Sequence, residues 1–400
     1  MDSNTQKKVL IFSRYIPPIY SGAGLQAIKH AEILNQNALP TEILTIRTNI
    51  AQAKSEKDQL GESRVNEIFY RKTLSRVDEI ILSLKICQWL YNNRKNYDLY
   101  VFFGMGTIIY FPIFLLKILL KKKIVLRATL VGTDDLESIS GEKLGMIKIR
   151  IILLADYYMA ISKHIYQITQ KTLKKYKTKM RAILIHNPVD YNFYSPINSK
   201  TKKKELREKY KLSDDHFVLI TVGFFSERKK IDQIIKTCKE LKSYKSNLKV
   251  LMLCKSSSDS FSENNNEYIE HCHNLVKEYE LSSSVEFFDQ GNVRDMLRAS
   301  DIFLFASSQE GCPNALLEAK SIGLPVYAFQ RDWLSSDIIE NKIDGFILHN
   351  DDTKAMAELI IDTTSEHSFI SENAKTQIKN GYDTTQVYKG YIDILSNNIN

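Results

Sequence analysis

Short apolar runs alternate with helical patterns along almost the whole chain, and this alternation constrains the fold more than any other feature. Lys8 to Phe12 reads as a buried strand, a helix follows from about Gly24 to Asn35, and Glu42 to Ile46 is the next strand. Leu99 to Phe103, the apolar segment Ile108 to Leu120 and Ile124 to Leu126 make a strand–helix–strand unit. Tyr157 to Ala160 and Ala182 to Ile185 continue the series. The pattern breaks at His186-Asn187-Pro188-Val189-Asp190 and stays loop-like to Pro196, which reads as a hinge. It resumes with Phe217–Val222, a helix from Lys229, Leu248–Cys254, a helix to about Glu280, Val285–Phe288, Ile302–Phe305, a helix from Asn314, and Pro325–Phe329. Apolar strands separated by helices mean parallel sheets covered on both faces. Two such sets joined by a hinge predict two doubly wound α/β domains. Ligands of such sheets bind beyond the carboxyl ends of the strands, so a cleft between the domains is the expected site.

A chain of 400 residues suits two domains, and 44% hydrophobic with 26% charged residues is globular composition. The net charge of +8 is unevenly placed. Through Asp190 there are 29 basic and 16 acidic residues, and the remainder has 26 and 31. No nucleic-acid motif accompanies the lysines, so anionic lipid head groups or a phosphate-bearing acceptor are the partners such a half suits, the alternative being a solvated face. The five cysteines are odd in number and form no C-x-x-C pair, which fits free thiols in a reducing, cytoplasmic compartment. His271-Cys272-His273 cannot converge on one ion as adjacent residues of a regular element, and packing roles are expected. No signal peptide is visible before the first strand. Ile108–Leu120 is too short to span a bilayer. It reads as a crossover helix, with Lys121-Lys122-Lys123 at its end keeping a membrane-inserting alternative open and the chain soluble or peripheral.

The segment richest in chemistry runs from Glu310 to Ala319, followed by Gly323-Leu324-Pro325. Glu310 lies in a loop after a strand, and Gly311 permits close approach of backbone to ligand. Pro313 and Asn314 suit a helix start, with Asn314 as N-cap, so the N–H groups of Asn314 to Leu317 would form an anion site at the positive end of the helix dipole. Glu318 lies on the first turns. Two carboxylates around an amide-lined anion site suit a sugar diphosphate, one accepting from sugar hydroxyls and the other from the ribose.

Glu310 through Glu318 resembles the E-x7-E signature of retaining glycosyltransferase family four, also called glycosyltransferase group 1. Ser21-Gly22-Ala23-Gly24-Leu25-Gln26 is similar to that family's glycine-rich N-terminal loop, and His186 to Asp190 with Phe193 and Pro196 to its hinge. Val222-Gly223 through Lys229, Ile231 and Asp232 resembles its phosphate loop, and Asp344-Gly345-Phe346 and the helical Tyr382–Leu395 are also similar. The resemblance implies a GT-B fold: two Rossmann-like domains facing across a cleft, with residues 1–188 binding acceptor, residues 189–381 binding the nucleotide-sugar, and a helix over about 382–398 packing back on the first domain. It implies that Glu310 contacts hydroxyls of the transferred sugar and Glu318 the ribose. Backbone near Gly311, Cys312, Leu316 and Leu317 would hold sugar and diphosphate, with Gly223 in the phosphate loop and Gly22 and Gly24 closing over the donor. Lys229 would neutralise the diphosphate as it leaves.

Two positions depart from the family pattern. Phe224 stands where the family has an arginine, which Arg228 is expected to replace, and Lys230 stands where it has a glycine. After the strand at Ile124 the chain has Gly132-Thr133-Asp134-Asp135 and no histidine; Asp134 and Asp135 either bind acceptor or sugar hydroxyls or cap the next helix. There is no D-x-D triplet, the usual diphosphate-metal ligand of the other transferase fold, so no metal or cofactor is expected. The expected reaction moves a hexosyl group from a UDP- or GDP-sugar to an acceptor hydroxyl with retention, in surface polysaccharide or glycolipid synthesis. The acceptor would be a lipid-linked saccharide, and the location cytoplasmic or peripheral at the membrane. The rivals are a sugar-nucleotide epimerase, which would need a histidine–carboxylate set not seen here, and a non-catalytic partner subunit that binds a sugar nucleotide.

Overall fold

A computed structural model describes residues 8–17, 21–47, 63–70, 75–197, 199–255 and 265–399. The chain divides into two compact units, one of residues 1–187 with 387–400 and one of residues 188–386.

The first unit is built on a seven-stranded sheet in the order β3-β2-β1-β4-β5-β6-β7. Its strands are β1 (Val9–Ser13), β2 (Thr41–Arg47), β3 (Arg64–Phe69), β4 (Leu99–Phe103), β5 (Lys123–Arg127), β6 (Tyr157–Ala160) and β7 (Arg181–Leu184). All neighbours pair in parallel, which requires crossover connections rather than hairpins. β1 is buried along its whole length, matching its unbroken apolar run. The helices are α1 (Gly22–Gln36), α2 (Arg76–Asn92), α3 (Tyr110–Phe114), α4 (Leu136–Gly141), α5 (Gly145–Ile152) and α6 (Lys163–Tyr176). The apolar segment after β4 is indeed a crossover between β4 and β5. It is not one regular helix: a 3-10 turn (Thr107–Ile109) leads into α3, and a π turn (Leu115–Leu119) closes it with Leu120 N–H donating to Leu115 O at 3.0 Å.

The second unit repeats the plan with six strands in the order β10-β9-β8-β11-β12-β13. These are β8 (Phe217–Phe224), β9 (Leu248–Lys255), β10 (Val285–Phe288), β11 (Ile302–Phe305), β12 (Val326–Phe329) and β13 (Phe346–Leu348), again parallel throughout. Its helices are α7 (Lys200–Lys209), α8 (Ile231–Tyr244), α9 (Asn266–Glu278), α10 (Val293–Ala299), α11 (Asn314–Ile322), α12 (Thr353–Asp362) and α13 (His367–Gly381). The first and last segments of this unit are tied together, Val189 N–H donating to Tyr382 O at 2.8 Å and Thr384 N–H to Val189 O at 3.0 Å. The last helix, α14 (Thr384–Ile399), places Val387, Tyr388, Tyr391 and Leu395 in the core of the first unit with Val9, Ile28, Val101 and Phe103.

In both sheets the order reverses direction beside the first strand of the unit, between β1 and β4 and between β8 and β11. Loops leaving those strands diverge there, which opens a crevice at the carboxyl end of each sheet. His271, Cys272 and His273 sit on α9, where Cys272 is in the core and His273 packs edge-on against Phe287. The five cysteines are free thiols.

Candidate active site

The reversal point of the second sheet is occupied by charge. β8 ends at Phe224, a 3-10 turn (Glu227–Lys229) follows, and the loop after β11 brings Ser307 to Glu310 alongside it. Glu310 is buried, and three donors converge on its Oε1: Lys229 Nζ at 2.6 Å, Ser307 Oγ at 2.6 Å and Arg228 Nη1 at 2.9 Å. Burial alone would push this carboxyl up, but the charges of Lys229 and Arg228 and the hydrogen bonds from Lys229 and Ser307 outweigh it and hold it below the usual range, hence ionised. The two loops are laced together besides. Arg228 Nη1 donates to Gln309 O at 2.7 Å, and Arg228 O accepts from Ser308 N–H at 2.8 Å. The Lys229 stem lies over Gly223, where an added Cβ would touch its Cδ and Cε at 3.4 Å, and its ammonium is 5.7 Å from the Phe305 ring centre.

α11 starts at this cluster, and here two details differ from expectation. Asn314 is the first helical residue and Pro313 is the N-cap, with no side chain capping the end. A proline fits there because its ring fixes φ and the position needs no N–H. Leu317 N–H is bonded to Pro313 O at 3.2 Å, so its amide is used within the helix and not on a ligand. Gly311 and Cys312 are buried in the approach to the helix, and Glu318 is half-buried on its second turn. The G-x-P after it is a helix stop: Gly323 takes φ +85° and Leu324 N–H donates to Ala319 O at 3.0 Å.

Lys320, on the same helix, is fully buried, with its ammonium 2.9 Å from the Asp344 carboxylate and donating to Ile338 O at 2.8 Å. Burial outweighs the attraction of Asp344 and pushes this ammonium down to about 8. Asp344 of the Asp344-Gly345-Phe346 triplet therefore anchors α11, and a Cβ on Gly345 would sit tightly, 3.0 Å from Ile339 Cγ2 and 3.1 Å from Val326 O. Sequence reasoning missed Ser307 and Lys320. Ser307, three residues before Glu310 in S-S-Q-E, carried a weak signal, and a lysine inside an apolar helical stretch was the signal for Lys320.

The helix expected from Lys229 begins at Ile231, with Lys229 in the preceding 3-10 turn. Lys230 between them has φ +52° and ψ +45°, the left-handed conformation that glycine adopts without strain. This explains in backbone terms why a glycine suits the position where this chain has lysine.

In the first unit, Gly22 and Gly24 are not in a loop: α1 begins at Gly22, and the Ser21 hydroxyl caps it by accepting from Gly24 N–H at 3.3 Å. A Cβ on Gly24 would lie 2.2 Å from Tyr15 O, so this glycine lets the chain after β1 pass against the helix. Asp135 caps α4, accepting from Ser138 N–H at 2.8 Å, which is the capping alternative. Asp134 is buried and accepts from Met105 N–H at 3.1 Å, Thr129 N–H at 3.2 Å and the Thr129 hydroxyl. Burial raises its carboxyl against those hydrogen bonds. Its contacts join the loops after β4 and β5. Arg127 is also buried and donates to Asn187 Oδ1 at 2.9 Å.

The family model for glycosyl transferases group 1 matches residues 202–384, which hold all of the charged cluster. The chain carries a group 1 glycosyltransferase domain. Curated relatives agree: it is 26% identical over 64% of its length to the capsular polysaccharide biosynthesis glycosyltransferase CapM of Staphylococcus aureus, covering 66% of that protein. It is 28% identical over 27% of its length to UDP-Gal:alpha-D-GlcNAc-diphosphoundecaprenol alpha-1,3-galactosyltransferase of Escherichia coli, covering 29% of it. The chain thus spans less than two thirds of the length of these relatives. Among solved structures, HepE of Anabaena in complex with UDP-glucose superposes with a TM-score of 0.76 at 17% identity, over 98% of this chain and 99% of that one. With two parallel-sheet units of this order, the chain has the GT-B fold.

Proposed function

We propose that this group 1 chain is a retaining hexosyltransferase that uses a UDP- or GDP-sugar, without a metal, to glycosylate a hydroxyl of a lipid-linked saccharide in surface polysaccharide or glycolipid synthesis. The observation that carries the reading is the pairing of Lys229 and Arg228 on the buried carboxylate of Glu310, beside the start of α11. A diphosphate needs positive charge where its leaving oxygen develops charge, and a cation already held in place supplies it without reorganisation. Lys229 meets the diphosphate, Arg228 stands in for the arginine replaced by Phe224, and the first-turn amides of α11 add oriented dipoles. With three donors on Oε1, the Glu310 carboxylate orients a sugar hydroxyl through its remaining lone pairs, and Glu318 takes the ribose. The bond from the anomeric carbon to the β-phosphate oxygen breaks as the acceptor oxygen bonds to the same face, and the acceptor proton passes to the departing phosphate. Two cations at the diphosphate perform the neutralisation that a divalent ion performs elsewhere, so no metal is required. The complex of HepE with UDP-glucose and the UDP-Gal in the E. coli relative's name support a UDP-sugar donor, and the diphosphoundecaprenol in that name supports a lipid-linked acceptor.

The test is a thermal-shift screen of UDP-glucose, UDP-galactose, UDP-N-acetylglucosamine and GDP-mannose in EDTA. One donor is expected to raise the melting temperature, with Lys229→Ala and Glu318→Ala each weakening its binding by about tenfold or more. No shift with any donor, or one indifferent to both substitutions, would remove the catalytic reading and leave a partner subunit.

A further inference from the structure

Seventeen large apolar side chains are exposed among the described residues, and twelve of them fall on three adjacent helices of the first unit, so their distribution is not the ordinary scatter of a soluble surface. On α2 they are Val77, Ile80, Ile81, Leu84 and Tyr91, whose spacing of three, four, seven and fourteen from the first makes one stripe. The opposite side of the same helix buries Leu82, Ile86 and Leu90, so α2 is apolar on two faces, of which only one is covered among the described residues. On α3 and its π turn the exposed set is Phe111, Phe114, Ile118 and Leu119. Leu144, Met146 and Ile147 extend it onto α5. Exposures here run from 46% to 65%. The helices are neighbours: Ser83 Oγ donates to Ile108 O at 2.8 Å between α2 and the turn before α3, and Lys148 of α5 lies 5.9 Å from the Tyr110 ring centre.

The rim of this face is basic. Lys85, Lys121, Lys143 and Arg150 are exposed and form no ion pair among the described residues. Of the carboxylates on and beside these elements, Asp156 pairs with Lys117 at 2.5 Å, Glu142 with Lys148 and Glu79 with Arg14 at 3.6 Å, Asp78 is in the capping box of α2, and Glu137 is exposed. We propose that this apolar, lysine-rimmed face of the first unit is a docking surface for an anionic lipid bilayer. The charge chooses the occupant. A second copy of the chain would bring an identical basic rim against this one, and like charges would oppose the pairing. A bilayer of anionic lipids takes the apolar side chains into its interface and the ammonium groups among its head groups, each adding to the other. The inference does not rest on the donor site.

The experiment is co-sedimentation of the whole chain with vesicles of phosphatidylcholine alone and with phosphatidylglycerol added. Anionic vesicles are expected to bind it at least about tenfold more strongly, with the difference shrinking in high salt. An apolar variant (Ile80→Gln, Leu84→Gln, Phe114→Gln) and a charge variant (Lys85→Gln, Lys121→Gln, Arg150→Gln) should each lose about tenfold or more while keeping the wild-type far-UV spectrum and donor thermal shift. Absence of binding to anionic vesicles, or equal binding by wild type and both folded variants, would overturn the proposal. So would a wild-type dimer in sedimentation velocity that the apolar variant dissociates, which would assign the face to a second copy.

Discussion

Glu310 is held by two cations and a hydroxyl within 2.9 Å, so its charge is a structural element as much as a chemical one. Glu310→Gln keeps the shape but leaves Lys229 and Arg228 side by side without an anion. We predict a loss of transfer of about 100-fold or more in a donor-consumption assay, and destabilisation of about 3 kcal/mol near neutral pH in urea titrations. The pH dependence has a defined sign. Because the folded carboxyl lies below its unfolded value, its contribution is present above the unfolded value and is lost as pH falls through the lowered folded one. The gap between wild type and Glu310→Gln should therefore be constant from neutral pH down to about pH 5 and close in stronger acid. A gap that widens in acid would contradict this. At this scale the sequence pointed to Glu310, Lys229 and Arg228, which the structure brings together, because their positions follow strand ends. It did not identify Ser307 or Lys320, whose partners lie across the fold, nor which of two readings applied to Asp134 and Asp135, since carboxylates at loop ends cap and bind with the same atoms.

At the scale of elements, the strands most deeply buried were the most legible. β1, β4, β8 and β11 announce themselves as apolar runs, whereas β3 (Arg64–Phe69), an edge strand with Ile68 alone buried, carries almost no hydrophobic signal. β13 is a three-residue edge strand and equally faint. The helix expected from Asn314 starts there, whereas those expected at Gly24 and Lys229 start two residues away, at Gly22 and Ile231, because a capping position is decided by backbone angles that Ser21 and Lys230 do not uniquely declare. Lys230 supplies a test. Its φ of +52° costs a non-glycine residue about 1 kcal/mol, so Lys230→Gly should stabilise the second unit by about 0.5–1 kcal/mol in chemical denaturation, net of the entropy that glycine adds to the unfolded chain. A destabilised variant would mean that the Lys230 side chain holds the phosphate loop by contacts that outweigh its strain.

Across the whole molecule, each unit has its own parallel sheet and its own core, and α14 belongs to the first core although it follows the second unit in sequence. Among the described residues no helix is long and apolar enough to cross a membrane. The packing of α14 on the first unit encloses an acid-sensitive group. His30 of α1 is fully buried, with ring centres of Phe103, Tyr388 and Tyr391 at 5.3, 5.0 and 4.6 Å, and neither ring nitrogen has a hydrogen-bond partner among the described residues. Burial, then the charges of Arg127 and Lys29, hold it well below the ordinary histidine value. The unfolded chain takes up a proton that the folded one refuses, so stability falls as pH drops below about 6.5, by about 1.4 kcal/mol per unit until the folded value is reached. His30→Phe should abolish this component, making the variant progressively more stable than wild type below pH 6.5 in urea titrations. Parallel curves would place His30 in a hydrated setting instead.

Metal-independent transfer with retention by the Lys229–Arg228–Glu310 site can be read by proton NMR of the donor found in the thermal-shift screen, incubated with the chain and a lipid-linked saccharide acceptor in EDTA. The donor's anomeric signal is expected to be replaced by a product signal of the same configuration, and Lys229→Ala to slow this by about 100-fold or more. A product of opposite configuration, a reaction that stops in EDTA and resumes with magnesium, or a rate indifferent to Lys229 would contradict it.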